Sequence, residues 1–374
     1  MRTLAILLLA GTVSVGQQHR KVTDAMVSEV HKSVILIDTH NDVTSRTVAG
    51  FDIGIRSAEG HTDIPRLRQG GVGAVFFAAY VGASYAKDKT AAHRALQMID
   101  TVRTDIIGRY SKDFSFATTA AGIEAAHRQG KIAALIGIEG GHAVEDDPRL
   151  LRDFYALGVR YMTLTHTNTN GWADSSGDLT DRAAKRHDGL NPLGRQMIAE
   201  MNRLGMMVDI SHVSDKTFQD VLEVSAAPVI ASHSSCRALA NVPRNMTDAM
   251  IVALAKKGGV IHINFNCGFL SQKTADSEQS KAEKDRDKKV LPATLGDVVE
   301  HINHVVKLAG VDAVGIGSDF DGVQCTPTGL EDVSKFPNLT RALLEGGYSP
   351  ADIRKMYGGN TLRVMRAVER ARAE

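Results

Sequence analysis

Short apolar runs recur along this chain, and between them apolar residues fall three and four apart. The runs SVILIDTH (33–40), VGAVFFAAYV (72–81), IAALIGIEG (132–140) and VRYMTLTH (159–166) predict four strands. MMVDISH (206–212), PVIASHS (228–234), VIHINF (260–265) and AVGIGSDFD (313–321) predict four more. The spacings over 91–110 and 191–205 predict helices. In the second, Leu193, Met197, Ile198, Met201 and Leu204 share a face, with Asn191 as N-cap, Pro192 in the first turn and Gly205 as the stop. Ser349 followed by Pro350 opens a helix in the same way. Eight strands alternating with helices predict an α/β fold, a parallel sheet closed into a (β/α)8 TIM-type barrel; a doubly wound open sheet is the alternative. SQKTADSEQSKAEKDRDKK (271–289) breaks the rhythm and reads as a solvated loop after the seventh strand.

The polar residues that end these runs carry the chemistry. VILIDTHND (34–42) passes from aliphatic to acid, imidazole and acid. In an extended chain His40 and Asp42 share one face, where they can chelate a divalent metal. Glu139, His166, His212, His233 and Asp319 sit at the ends of five further strands. One such residue alone reads as a hydrogen-bonded strand end. Six strand ends carrying them at one mouth of a barrel, where active sites form, predict a metal site. His40, Asp42, Glu139, His212 and His233 are too many ligands for one tetrahedral catalytic zinc with an open position. They suit two ions: one held by His40 and Asp42, one by His212 and His233, with Glu139 between them. Such ions trap a hydroxide across about 3.5–4 Å. Imidazole-rich ligation favours Zn²⁺, which Mn²⁺ or Co²⁺ could replace.

Composition changes little in this picture. The 374 residues are 43% hydrophobic and 23% charged with net charge +1, which offers nucleic acid or an anionic membrane no handle. The N-terminus does add something. MRTLAILLLAGTVSVG has a basic residue, a short apolar core and small residues, and reads as an export signal (1–16) cut ahead of Gln17. The rest, 17–374, reads as one domain, exported to the periplasm or secreted and soluble once the signal is cut. The charged C-terminus shows no lipid-anchor signal. Three cysteines are no disulfide framework; they leave room for one bridge, for which Cys236 with Cys267 is the favoured pair.

IDTHND, GIEGGH, LGVRYMTLTH, DISHVSD, VIASHSS, NVPRNMTD and GSDFDG, in this order, resemble the membrane (renal) dipeptidase family of zinc-dependent dipeptidases. The resemblance covers essentially everything after the signal. It implies a (β/α)8 barrel that hydrolyses dipeptides with a hydroxide bridging two zinc ions. It implies His40, Asp42, Glu139, His212 and His233 as ligands. It also implies His166 as the group polarising the substrate carbonyl, Arg244 as the grip on the substrate's carboxylate, and Asp319 as the catalytic acid–base. Family members often accept a D-residue at the C-terminal position, and some open β-lactam rings. Mammalian relatives carry a C-terminal anchor and an inter-subunit cysteine that this chain lacks, so the implied homodimer is not disulfide-linked. Two other classes are open on the residues alone: a non-catalytic peptide receptor on the same barrel, and another binuclear amidohydrolase acting on a cyclic amide or lactam. The intact ligand set and Asp319 argue against the receptor.

Overall fold

The computed structural model describes residues 21–279 and 292–372. Its strands are β1 (Leu36–Asn41), β2 (Val72–Tyr80), β3 (Phe114–Phe116), β4 (Ile132–Glu139), β5 (Val159–Thr163), β6 (Met207–Asp209), β7 (Ile230–Ser234), β8 (Val260–Ile263) and β9 (Val314–Ile316). All pairings between them are parallel. β1 pairs with β2 and β9, β2 with β4, and β4 through β9 pair in sequence order, which closes a ring of eight. The short β3 adds to the first residues of β4, on the edge that β5 takes further along.

The alternation of each strand builds two apolar layers. Ile37, Ala74, Phe76, Ala133, Leu135, Tyr161, Met207, Ile230 and Val260 pack together inside the barrel. Their neighbours in sequence, Leu36, Val75, Phe77, Ala134, Ile136 and Met162, pack outward against the helices. The interior layer also takes in Leu362, Val364, Met365 and Val368 of the helix Asn360–Ala371, which closes the N-terminal end of the barrel. The other end stays polar.

Gly137 makes room for an interior ring: a Cβ there would lie 2.0 Å from Tyr161 Cζ. Gly137→Ala should therefore force the Tyr161 ring aside and cost about 1–3 kcal/mol, read as a lowered urea midpoint with unchanged slope. An unchanged midpoint would show that the ring has space to move.

Local signals behave as their chemistry requires. The Asn191 side chain accepts from Gly194 N to cap the helix Pro192–Leu204, and Gly205 ends it at φ +78°. Ser349 caps Pro350–Arg354 with a reciprocal bond to Asp352. Four expectations need correction. The strands at 159–166, 206–212 and 313–321 stop three to five residues early, because the backbone turns to aim polar side chains into the mouth. β3 was not expected; three residues are too few for a periodic signal. Gln272–Gln279 is a helix where a loop was expected; its polar composition hides it, with Thr274 and Ala275 buried beneath. The bridge joins Cys267 to Cys325 rather than to Cys236. These two follow the adjacent strands β8 and β9, whereas Cys236 is buried as a free thiol beside His301. The export signal at 1–16 and the remainder of the charged segment, 280–289, lie outside the described residues. Among the described residues no helix is long and apolar enough to cross a membrane.

Candidate metal centre

The polar mouth gathers the residues singled out by sequence. His40 lies in β1, Glu139 ends β4 and His233 lies in β7; Asp42, His166, His212, Arg244 and Asp319 occupy the loops that follow β1, β5, β6, β7 and β9. Asp42 is not extended, as its expected strand face required; it begins a short helix at φ −96°, ψ 11°. The turn nevertheless brings its Oδ2 to 3.2 Å from His40 Nε2.

Glu139 divides its two oxygens between two groups of side chains. Oε2 lies 3.4 Å from His40 Nε2. Oε1 lies 3.0 Å from His212 Nε2, 3.2 Å from His233 Nε2 and 3.8 Å from His166 Nε2. The Nε2 atoms of His212 and His233 are 3.0 Å apart, and the rings of His40 and His233 stack at 3.7 Å. Asp319 joins His40 and Asp42 on the first side.

This arrangement fits a divalent cation. His40 Nε2 and Asp42 Oδ2 are buried without a hydrogen-bond partner, a costly state for a protein group. Burial would lower His40, but Tyr161, Glu139 and Asp42 outweigh it and hold the imidazole well above its usual value. Positive charge is thus favoured at the point where His40, Asp42 and Glu139 converge. Burial raises Glu139, but the surrounding imidazoles, His40 first, hold its carboxyl well below the usual range. Burial, then nearby positive charge, pushes His212 and His233 well below theirs, which leaves them neutral, the form that ligates metals.

Two of these residues adopt left-handed backbone that side chains rarely take: His212 at φ +68° and Asp319 at φ +62°. Both are held by their neighbours. The His212 carbonyl accepts from Ser176 N (2.8 Å), Ser176 Oγ (3.0 Å) and Thr165 Oγ1 (3.0 Å). Asp319 N donates to the His40 carbonyl at 3.0 Å, and the preceding Ser318 is clamped to Asp38 through both its N (2.8 Å) and Oγ (2.6 Å). Gly322 covers the pair of acids, because a Cβ there would lie 2.4 Å from both Asp319 Oδ1 and Asp42 Oδ2. Burial, then the Asp42 carboxylate, pushes Asp319 up to about 7, while Asn264 donates to its Oδ2 at 2.8 Å.

Arg244 stands beside the second group. It donates to Ser234 Oγ (2.7 Å) and to the His233 carbonyl (2.6 Å), and its buried Nε has no partner. Burial brings it down to about 10, so it stays cationic at neutral pH. His166 is more open than the other imidazoles; its ring stands 4.8 Å from Tyr80 and 4.4 Å from His212.

Sequence reasoning missed the groups behind these residues: Tyr161, whose hydroxyl meets His40 Nδ1 at 2.8 Å; Ser232, which meets His233 Nδ1 at 2.7 Å; and Asp38, Asp209 and Asn264. A signal existed for two of them. Asp38 and Asp209 are acids inside apolar strands, two and three residues before a histidine, and are fully buried.

A parallel barrel whose mouth converges five carboxylate and imidazole side chains able to hold a metal, with a partly buried acid and a partly buried arginine beside them, fits a metal-dependent hydrolase. The family model for membrane dipeptidase (peptidase family M19) matches residues 24–374, and the chain belongs to that family. It is a metallo-dipeptidase. The dipeptidase verJ of Clonostachys rogersoniana is 42% identical over 351 residues, which span 90% of this chain and 84% of that protein. An uncharacterized dipeptidase of Schizosaccharomyces pombe is 36% identical, over 94% of this chain and 85% of its own. The crystal structure of a metallo peptidase from Rhodobacter sphaeroides, liganded with a phosphinate mimic of the dipeptide L-Ala-D-Ala, superposes with a TM-score of 0.77. It is 27% identical, and the match covers 90% of this chain and 99% of that one.

Proposed function

We propose that this dipeptidase works with two zinc ions per chain and accepts dipeptides whose C-terminal residue has either configuration. The division of Glu139 between two ligand groups carries the two-ion reading: His40 and Asp42 would hold one ion, His212 and His233 the other, and Glu139 both. The imidazole-rich donor set supports zinc. The L-Ala-D-Ala mimic bound by the Rhodobacter sphaeroides relative supports the C-terminal D-residue.

When bound, the ions would supply a water that ionises near neutral pH and a Lewis-acid contact to the scissile carbonyl. The chain's own residues do the rest. His166 donates a hydrogen bond where negative charge develops on the carbonyl oxygen. Asp319, at the edge of the centre, takes a proton from the attacking water and delivers it to the leaving amine nitrogen. Arg244 pairs its planar fork with the substrate's free carboxylate. Because that carboxylate must lie one residue beyond the scissile bond, the grip selects length.

Metal analysis of purified protein, with a panel of dipeptides of both configurations, tests this reading. One tightly bound ion at full activity would exclude two; failure on every D-containing dipeptide would exclude the wider substrate range. Arg244→Ala should chiefly raise KM for dipeptides, by an amount equivalent to about 2–5 kcal/mol, and should matter little for a dipeptide amide. Equal cleavage of acid and amide by the unaltered enzyme would remove Arg244 from this role.

The reading extends to location. The signal-like 1–16 and a disulfide between Cys267 and Cys325 both suit an exported protein. Sequencing the mature N-terminus should find it at Gln17; intact Met1 on cytoplasmic protein would sink the proposal. The homodimer implied by the resemblance is open to light scattering, which should give twice the chain mass.

A further inference from the structure

We propose that Asp209 is a positioning residue for metal binding: through the Ser232 hydroxyl it fixes His233 in the tautomer whose Nε2 is bare and faces Glu139. The inference rests on the reading of His233 as a ligand. Asp209 ends β6, wholly buried, and its carboxylate accepts four hydrogen bonds. Oδ1 takes Ser232 N at 2.8 Å and Ser211 N at 3.0 Å; Oδ2 takes Ser232 Oγ and Thr163 Oγ1, each at 2.5 Å.

A carboxylate so placed only accepts, so the one proton of the Ser232 hydroxyl is committed to it. What Ser232 Oγ then offers His233 Nδ1, 2.7 Å away, is a lone pair. The complementary partner is Nδ1–H. In a neutral imidazole that leaves Nε2 without a proton, 3.2 Å from Glu139 Oε1. The arrangement is a directional chain of hydrogen bonds, His233 Nδ1–H to Ser232 Oγ–H to the buried carboxylate, that leaves a metal-facing lone pair on Nε2.

The other half of the centre is supported differently. His40 Nδ1 meets the Tyr161 hydroxyl, whose proton goes to the Thr39 carbonyl at 3.0 Å. Nδ1 again carries a ring proton, but a peptide carbonyl rather than a carboxylate stands behind it. Outer partners of this kind orient the ring and raise its basicity, and their loss typically weakens metal binding by about 10–100-fold.

The distinguishing variant is Asp209→Asn. It keeps size and shape. The two backbone N–H groups hold the amide oxygen at the Oδ1 position, so the amide nitrogen takes the Oδ2 position and donates to Ser232. The Ser232 proton then turns to His233 Nδ1, and the ring proton moves to Nε2. We expect a folded protein that keeps zinc in the His40 half and binds the second ion about 10–100-fold more weakly. Ser232→Ala breaks the chain without reversing it and should weaken zinc less than Asp209→Asn. Thr163→Val removes a bond to the same carboxylate but does not touch His233, and should lower Tm while leaving zinc affinity unchanged. A merely structural role reverses this order, with the isosteric Asn mildest and Thr163→Val as harmful to zinc as Ser232→Ala.

The readouts are thermal melts, zinc titration against a chromophoric chelator, and ¹⁵N NMR of histidine-labelled, metal-free protein. The unaltered chain should show His233 protonated at Nδ1, and Asp209→Asn should show it at Nε2. Native zinc affinity in folded Asp209→Asn, or an unmoved ring proton, overturns the proposal. If Asp209→Asn does not fold, Ser232→Ala and Thr163→Val decide it, and equal zinc affinity in the two overturns it. If the unaltered protein binds one ion only, the two-ion reading fails, and the position of the His233 proton still tests Asp209.

Discussion

Replacing Glu139 with Gln should empty both halves of the centre at once. The unaltered carboxylate turns Oε2 to His40 and Oε1 to His212 and His233, so it is the one proposed ligand that both ions share. Gln keeps a carbonyl oxygen but removes the negative charge, and it places N–H donors where a cation would stand. Two neighbouring cations with one fewer carboxylate between them also repel each other more strongly in a buried site. After dialysis, metal content should fall from two ions per chain toward none, and dipeptide hydrolysis to background. His212→Ala, by contrast, should lose one ion and keep the other. Should Glu139→Gln retain a tightly held ion and measurable activity, the carboxylate serves one half only, and the two-ion arrangement must be redrawn.

The second large effect separates chemistry from binding. Asp319→Asn should lower kcat by about 10²–10⁴-fold, since the amide cannot carry the proton from water to the leaving amine. The side chain should stay in place: Asn264 donates to Oδ2 at 2.8 Å, an acceptor that the Asn carbonyl can replace. The main-chain bond from residue 319 to the His40 carbonyl does not depend on the side chain. Metal content and KM should therefore change much less than kcat. If metal is lost in parallel with activity, Asp319 is a ligand, as its place beside His40 and Asp42 would permit.

The parts of this molecule legible in its sequence are those with a repeating or local cause. The eight barrel strands announce themselves because nearly all their residues are buried and each lies in or beside a short apolar run. Asn191 and Ser349 announce helix starts because capping is a bond between neighbours. His40, Glu139 and His233 were legible because a strand carries them straight to the mouth. What escaped depends on contacts between distant residues. Tyr161 reads as one more aromatic in a strand, and only the closed barrel puts its hydroxyl beside a histidine 121 residues away. The cysteine pairing depends on which loops become neighbours after β8 and β9, and spacing along the chain says nothing about that. Asp42 does meet His40, but through a turn and not along a strand, which alternation alone does not reveal.

The bridge between Cys267 and Cys325 spans 58 positions of the chain. Its consequence is topological as well as energetic. In the chain-entropy account, a loop of that length removes about 4 kcal/mol of freedom from the unfolded chain. Beyond this, any single backbone cut between the two cysteines leaves one covalent molecule. A protease acting there would not release the polypeptide that carries Asp319, which precedes Cys325, from the part that carries the five proposed ligands. A nicked enzyme would migrate as one band without reductant and as two with it, and a cut ahead of Asp319 would part the proposed acid from the proposed ligands only when the bridge is reduced as well.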